Sequence, residues 1–238
     1  MAKKKSIKDI TVPKIVFEPV AKSDSRYIRC RVLIVCEGAK TEPNYFKSFD
    51  QMKNQSSFVF EVTSDGGGIN TKDVVDEAIR LRDEAKANGR PFDTVWAVFD
   101  KDSFDAAMFD NAINKAEANK INCAWSNEAF ELWYVYHFDD RSTAMQRNEY
   151  KKVITQRVCA NGIQFQYKKN DPNMRKILSD CGCDEHLAIK RAERQANSFT
   201  DRRYNTHNPS TMVYKLVRLL IGEDQDFNNQ IKKGLAKK

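Results

Sequence analysis

The sequence predicts an α/β fold: a parallel sheet with flanking helices, followed by a mainly helical, basic C-terminal part. Three observations carry that expectation. Residues 32–36 (Val, Leu, Ile, Val, Cys) and 95–99 (Val, Trp, Ala, Val, Phe) are apolar without alternation, as strands covered on both faces are. Strand-like and helix-like stretches alternate from residue 32 to residue 137, which parallel crossovers require. Beyond residue 139 only helical spacing recurs. With 238 residues, 41% of them hydrophobic, the chain has material for one sizeable core with appendages. We read 1–26 as a basic N-terminal arm, 27–138 as the core, 139–222 as a helical basic part packed on it, and 223–238 as a basic tail.

The arm opens on Met1-Ala2-Lys3-Lys4-Lys5 and holds a short strand-like interlude at 10–17. It leads into no signal-peptide core, and no apolar run is long enough to span a bilayer, so a cytoplasmic protein without a membrane partner is expected. The first core strand ends on Glu37. Thr41 is expected to cap the next helix, Pro43 suits its first turn, and Tyr45, Phe46, Phe49 and Met52 give it an apolar side. The amino end of that helix points to the edge where Glu37 stands, and its partial positive charge favours an anion, which makes Lys40 and Thr41 candidates for a substrate phosphate. Residues 58–62 read as the second strand and 65–68, an aspartate and three glycines, as the loop after it. That loop matches neither a Walker motif nor a dinucleotide fingerprint. A helix follows from residue 70 or 71, with Val74, Val75, Ala78, Leu81 and Ala85 on one face.

The third strand ends in Asp100-Lys101-Asp102, a helix spans 104–119, and a fourth strand spans 121–125. Residues 126–137 then start a helix at the same sheet edge, on which Asn127 and Glu131, four apart, share a face. Two buried strands thus end in three acids, Glu37, Asp100 and Asp102. A parallel sheet gathers the carboxyl ends of its strands on one edge, where open α/β folds bind ligands. Carboxylates brought together repel unless a pKa rises or a cation binds, and hard oxygen ligands suit Mg²⁺ or Mn²⁺. The expectation is a metal-dependent phosphoryl-transfer site. Glu131 reads two ways, as a ligand or water-orienting acid, or as a buried acid bonded to Asn127 or a neighbouring amide.

These residues carry a resemblance. Glu37-Gly38 after one strand and Asp100-Lys101-Asp102 after another resemble the signature of the Toprim domain of topoisomerases, bacterial primases and OLD-type nucleases. The string Cys36-Glu37-Gly38-Ala39-Lys40-Thr41-Glu42-Pro43-Asn44-Tyr45-Phe46 is similar to the RloB family. So are Ser126-Asn127-Glu128-Ala129-Phe130-Glu131-Leu132-Trp133 and Asn208-Pro209-Ser210-Thr211, and the likeness runs from residue 31 to residue 220. It implies a Toprim-like nuclease in which Asp100 and Asp102 hold the metal and Glu37 is a ligand or general acid/base. Glu42 would be a further ligand, as the corresponding acid is in some OLD-type relatives, or else a first-turn surface residue. The resemblance also implies bacterial anti-phage defence by abortive infection beside an ATPase partner. The chain has no Walker motif, so ATP dependence would come from that partner.

Charge supports a polyanionic partner when it is divided. Residues 1–140 carry 20 Lys and Arg against 23 Asp and Glu, while residues 141–238 carry 20 against 10. Basic clusters with Tyr150, Phe165, Tyr167, Phe199 and Tyr204 among them suit phosphates and stacked bases, with Lys168, Lys169, Arg191, Arg194, Arg202 and Arg203 as nucleic-acid candidates beside Asn127. Cys181, Cys183 and His186 offer three nearby ligands where a closed zinc site needs four, so they read as a helix-to-helix turn. Residues 208–211 read as the cap of the last helix. The rival to a nuclease is a non-catalytic subunit that binds metal and nucleic acid, and nothing in the sequence separates DNA from RNA.

Overall fold

Alternate residues of the first strand face opposite ways, and each way meets helices. In the computed structural model, which describes residues 28–50, 58–66, 71–101 and 105–235, β1 (Ile28–Cys36) sends Cys30, Val32, Ile34 and Cys36 into one apolar cluster. Leu33 and Val35 enter another on the opposite face. The unbroken apolar run is therefore the imprint of a strand buried on both faces. The sheet has the order β2 (Phe58–Gly66), β1, β3 (Thr94–Asp100), β4 (Asn122–Asn127), β5 (Ser210–Thr211). The first four strands are parallel and β5 runs antiparallel to β4. From β1 the chain steps outward to β2, then returns to lay β3 on the other side of β1. Strand order reverses there, which is where open α/β sheets bind ligands beyond their carboxyl ends.

Helices α2 (Thr71–Ala87) and α3 (Ala106–Ala118) cover the Leu33 face through Val74, Val75, Ala78, Phe109 and Ile113. Asp105 caps α3, its carboxylate accepting from the Ala107 N–H at 2.8 Å. The other face is covered by α1 (Thr41–Lys47), α4 (Glu131–Phe138), α5 (Arg147–Ala160), α6 (Met174–Asp180), α7 (Glu185–Ala196) and α8 (Val213–Leu220). Phe46, Trp133, Tyr150, Leu178, Ile189 and Leu216 from these helices share one cluster with Ile34 and Val98. The helical part after residue 139 is thus a cover of the sheet itself. Arg175 ties α6 to α7 and to the turn after α1, bonding both carboxylate oxygens of Glu185 at 2.8 and 2.9 Å and lying 3.8 Å over the Phe49 ring.

Several expected boundaries change. β2 runs through Asp65 to Gly66, so the loop expected at 65–68 starts later. β4 runs to Asn127, so Asn127 and Glu131 share no helical face and α4 begins at Glu131. Residues 208–211 do more than cap the last helix, where the Thr211 hydroxyl accepts from the Val213 N–H at the start of α8 at 3.2 Å. After a cis Asn208–Pro209 peptide, Ser210 and Thr211 pair with Asn127 and Ser126, and the Ser126 and Thr211 hydroxyls meet at 2.8 Å. The expected tail contains α9 (Gln225–Leu235), which packs Phe227 and Ile231 on the core, with Phe227 6.4 Å from Phe60. Its apolar residues are few and spaced for one narrow stripe, which the polar composition hid. No helix among the described residues is long and apolar enough to cross a membrane. The N-terminal arm and Asp102 lie outside the described residues.

Candidate functional site

β1 and β3 lie side by side with Cys36 opposite Val98, so Glu37 and Asp100 leave the sheet at neighbouring points of its carboxyl edge. The Asp100 N–H donates to Glu37 Oε2 at 3.1 Å, and the Glu37 N–H donates to the Val98 carbonyl at 2.9 Å. Along β3, Val95, Ala97 and Phe99 face α2 and α3, while Trp96 and Val98 face the larger helical layer. Strand alternation turns Asp100 toward that layer. There it is only 9% exposed. Burial, and then the charges of Glu42, Glu131 and Glu37, hold its pKa well above the usual carboxylate range, against the N–H of Phe130 on its carboxylate.

α1 brings Glu42 to the same place because residue 38 is glycine. A Cβ at Gly38 would collide with Glu42 Oε2 and stand 2.9 Å from its Cδ, so the missing side chain is the space that the carboxylate fills. Glu42 is buried, and burial raises its pKa first. Its own N–H opposes that rise, the Glu131 charge adds to it, and the charges of Lys169 and Arg147 oppose it. Glu131, the first residue of α4, is buried as well. Its Oε1 accepts from the Tyr167 hydroxyl at 2.9 Å.

Four carboxylates thus gather at the point where strand order reverses, from the end of β1, from α1, from the end of β3 and from α4. Glu42 Oε2 and Asp100 Oδ1 are buried with no hydrogen-bond partner among the described residues. A buried ionised oxygen left so is costly unless it is neutralised by a proton or a cation. An all-oxygen donor set with several carboxylates fits Mg²⁺ or Mn²⁺ rather than a softer metal. No three His, Cys, Asp or Glu side chains among the described residues are grouped as a ready-made ion site. A cleft of about 590 Å³ opens at the start of α5, lined by Glu128, Met145, Gln146, Asn148, Glu149 and Asn208, and none of the four acids lines it.

The other expected residues divide. Lys40, not Thr41, holds the N-cap position of α1, and the Thr41 hydroxyl meets Asn170 Oδ1 at 2.8 Å. Lys40, Lys168 and Lys169 are exposed, and Lys169 acts electrostatically on Glu42. The Asn127 amide donates to the carbonyls of Tyr204 and Asn205, at 3.4 and 2.9 Å, and so fastens β4 to the 204–206 turn. Arg191 donates to the carbonyls of Tyr136 and His137 at the end of α4, at 2.9 and 3.0 Å. Arg194 pairs with Asp140, Arg202 with Glu117, and Arg203 with Asp201. Glu117 is in the last turn of α3, near the amino edge of the sheet, so Arg202 stands away from the acids.

Two aromatic residues change role. Tyr150 and Tyr167, expected as stacking faces, are buried, and each feels the charges of Asp100 and Glu131, which together with burial push both phenols up. No sequence pattern marks Tyr167, in a loop, as the partner of an acid 36 positions away. His186 pairs with Glu223 at 2.8 Å, beside the free thiols of Cys181 and Cys183.

A search of curated proteins and a search of solved structures give no match. The family model described as RloB-like protein matches residues 32–220, from within β1 to the last residue of α8, a span that contains all four acids. The chain belongs to the RloB-like protein family.

Proposed function

We propose that this chain is a divalent-metal-dependent hydrolase of nucleic-acid phosphodiesters. The observation that carries the reading is the gathering of Glu37, Glu42, Asp100 and Glu131 at the reversal point of a parallel sheet, with two buried carboxylate oxygens that have no hydrogen-bond partner among the described residues. Bound Mg²⁺ or Mn²⁺ supplies charge for the scissile phosphate and an activated water. Asp100 and Glu42 would hold it, with Asp102, two residues on in sequence, and Glu131 at the start of α4 as further ligands. Glu37 is half-buried, and one of its oxygens is held by the Asp100 N–H, which suits it to accept the proton of the attacking water. Lys40, two residues before Glu42, and Lys169, whose charge acts on Glu42, would take substrate phosphates beside the acids together with Lys168. The ion pairs of Arg194, Arg202 and Arg203 are exposed and screened by solvent, so these arginines can exchange an acid for a phosphate.

The setting we propose is the one that the resemblance implies: an effector of anti-phage defence acting in the cytoplasm with an ATPase partner. The test is incubation of the protein with labelled DNA and RNA, with and without Mg²⁺ or Mn²⁺, alone and with the neighbouring ATPase. Cleavage is expected with metal and not after chelation. Loss of a general base or metal ligand costs on the order of 10²-fold or more, and that loss is expected for Asp100→Asn and Glu37→Gln. Activity that is unchanged in both variants, or equal without metal, contradicts the reading. Metal-dependent binding without cleavage under any combination would instead favour a non-catalytic binding subunit.

A further inference from the structure

The segment that joins α5 to α6, residues 161–173, crosses over the acids and is bonded to three different elements. Its start is pinned to α5: the Tyr167 N–H donates to Thr155 Oγ1 at 3.0 Å, and the Cys159 thiol donates to the Phe165 carbonyl at 3.2 Å. The Tyr167 hydroxyl then reaches α4 through Glu131 Oε1. Asn170 reaches α1, taking the Thr41 hydroxyl on its side chain at 2.8 Å and the Asn44 amide on its carbonyl at 3.0 Å. Beyond α5, the two helices it bonds, α4 and α1, are those that carry Glu131 and Glu42.

We propose that Tyr167 is a positioning residue for the metal-holding carboxylates: its hydroxyl fixes Glu131 against Asp100 and Glu42, from a segment that also fixes the helix bearing Glu42. This rests on the metal reading given above. The neighbouring Tyr134 supplies the internal comparison, since its ring lies 6.4 Å from that of Tyr167 and its hydroxyl is buried with no partner among the described residues. The pocket therefore does not require every phenol to be bonded, and the Tyr167 contact is directed at Glu131. A glutamate has three side-chain torsions to order on binding an ion, and a hydrogen bond that orders them beforehand strengthens binding.

The test is a titration of the full chain with Mn²⁺, with free Mn²⁺ read by electron paramagnetic resonance. Wild type is expected to bind, and Tyr167→Phe, which keeps the ring, to weaken the dissociation constant about 10- to 100-fold, as loss of a partner that orients a metal ligand does. Tyr134→Phe is expected to leave it unchanged. Thr155→Val removes the hydroxyl that holds the Tyr167 N–H while leaving the phenol intact, and is expected to weaken binding in the same direction. Wild-type affinity in Tyr167→Phe, or an equal loss in Tyr134→Phe, overturns the positioning role while the metal reading stands. Failure of the wild type itself to bind Mn²⁺ overturns both.

Discussion

At position 38 an absent Cβ decides where Glu42 can go. Alanine there would press on the end of a flexible carboxylate rather than on backbone, so Glu42 can swing away and the fold survives. Gly38→Ala is accordingly expected to cost about 1 kcal/mol or less, a fall in Tm of roughly 2–4 °C, while metal-dependent activity drops at least about 10-fold. A thermal melt beside an activity assay separates the two effects, and activity within twofold of wild type would show that Glu42 does not need that space. Glu37, Gly38 and Asp100 were legible in the sequence because each follows an apolar run whose burial is set by composition. Glu42 was half legible: its position was noted, but first-turn acids are common on surfaces, and only the contact with Gly38 shows why this one is inside. Tyr167 was illegible as an acid partner, because its bond to Glu131 joins residues 36 apart without any local pattern.

At the scale of elements, the 161–173 segment holds its shape partly through Asn170, whose φ of +73° is a conformation asparagine tolerates better than most residues. Two substitutions separate backbone from side chain there. Asn170→Gly keeps the conformation and loses the Thr41 contact, whereas Asn170→Ala loses the contact and adds left-handed strain of about 1–2 kcal/mol. Both variants are expected to weaken Mn²⁺ binding alike, with Asn170→Ala alone melting several degrees lower. Equal melting temperatures would show that the segment relaxes freely and fixes nothing. Elements are legible where an unbroken apolar run marks a strand, as in β1 and β3, or where helical spacing marks a face, as in α2 and α3. They were misread where strand and helix meet without a turn signal. β4 continues through Ser126 and Asn127 because those residues pair with β5, a partner more than 80 positions later whose local pattern shows only the capping contact of Thr211 and not the strand.

Across the whole molecule, the gathered acids make a prediction about pH. Asp100 and Glu42 have raised pKa values, so the folded state keeps protons that the unfolded chain releases, and stability falls as pH rises from the ordinary carboxylate range through the raised values. His137 acts with the opposite sign. Burial lowers it from 6.5 to about 4, so it costs stability as pH falls between those values and is silent above them. Near pH 7.5 the acids therefore act alone. The same concentration of charge strains the metal-free fold, and on the proposed function the excess of Lys and Arg in residues 141–238 would draw a polyanion toward it.

Thermal unfolding of wild type and Asp100→Asn at pH 7.5, across a Mn²⁺ series, tests this most directly. Without metal, Asp100→Asn is expected to melt above wild type, because an amide carries no buried charge among three other acids. At about 100 times the dissociation constant, Mn²⁺ adds about 2.7 kcal/mol to wild type, a rise of roughly 5–10 °C, and should leave the variant unmoved. A variant less stable than wild type without metal, or a wild type indifferent to Mn²⁺, would mean that these carboxylates do not form a cation site.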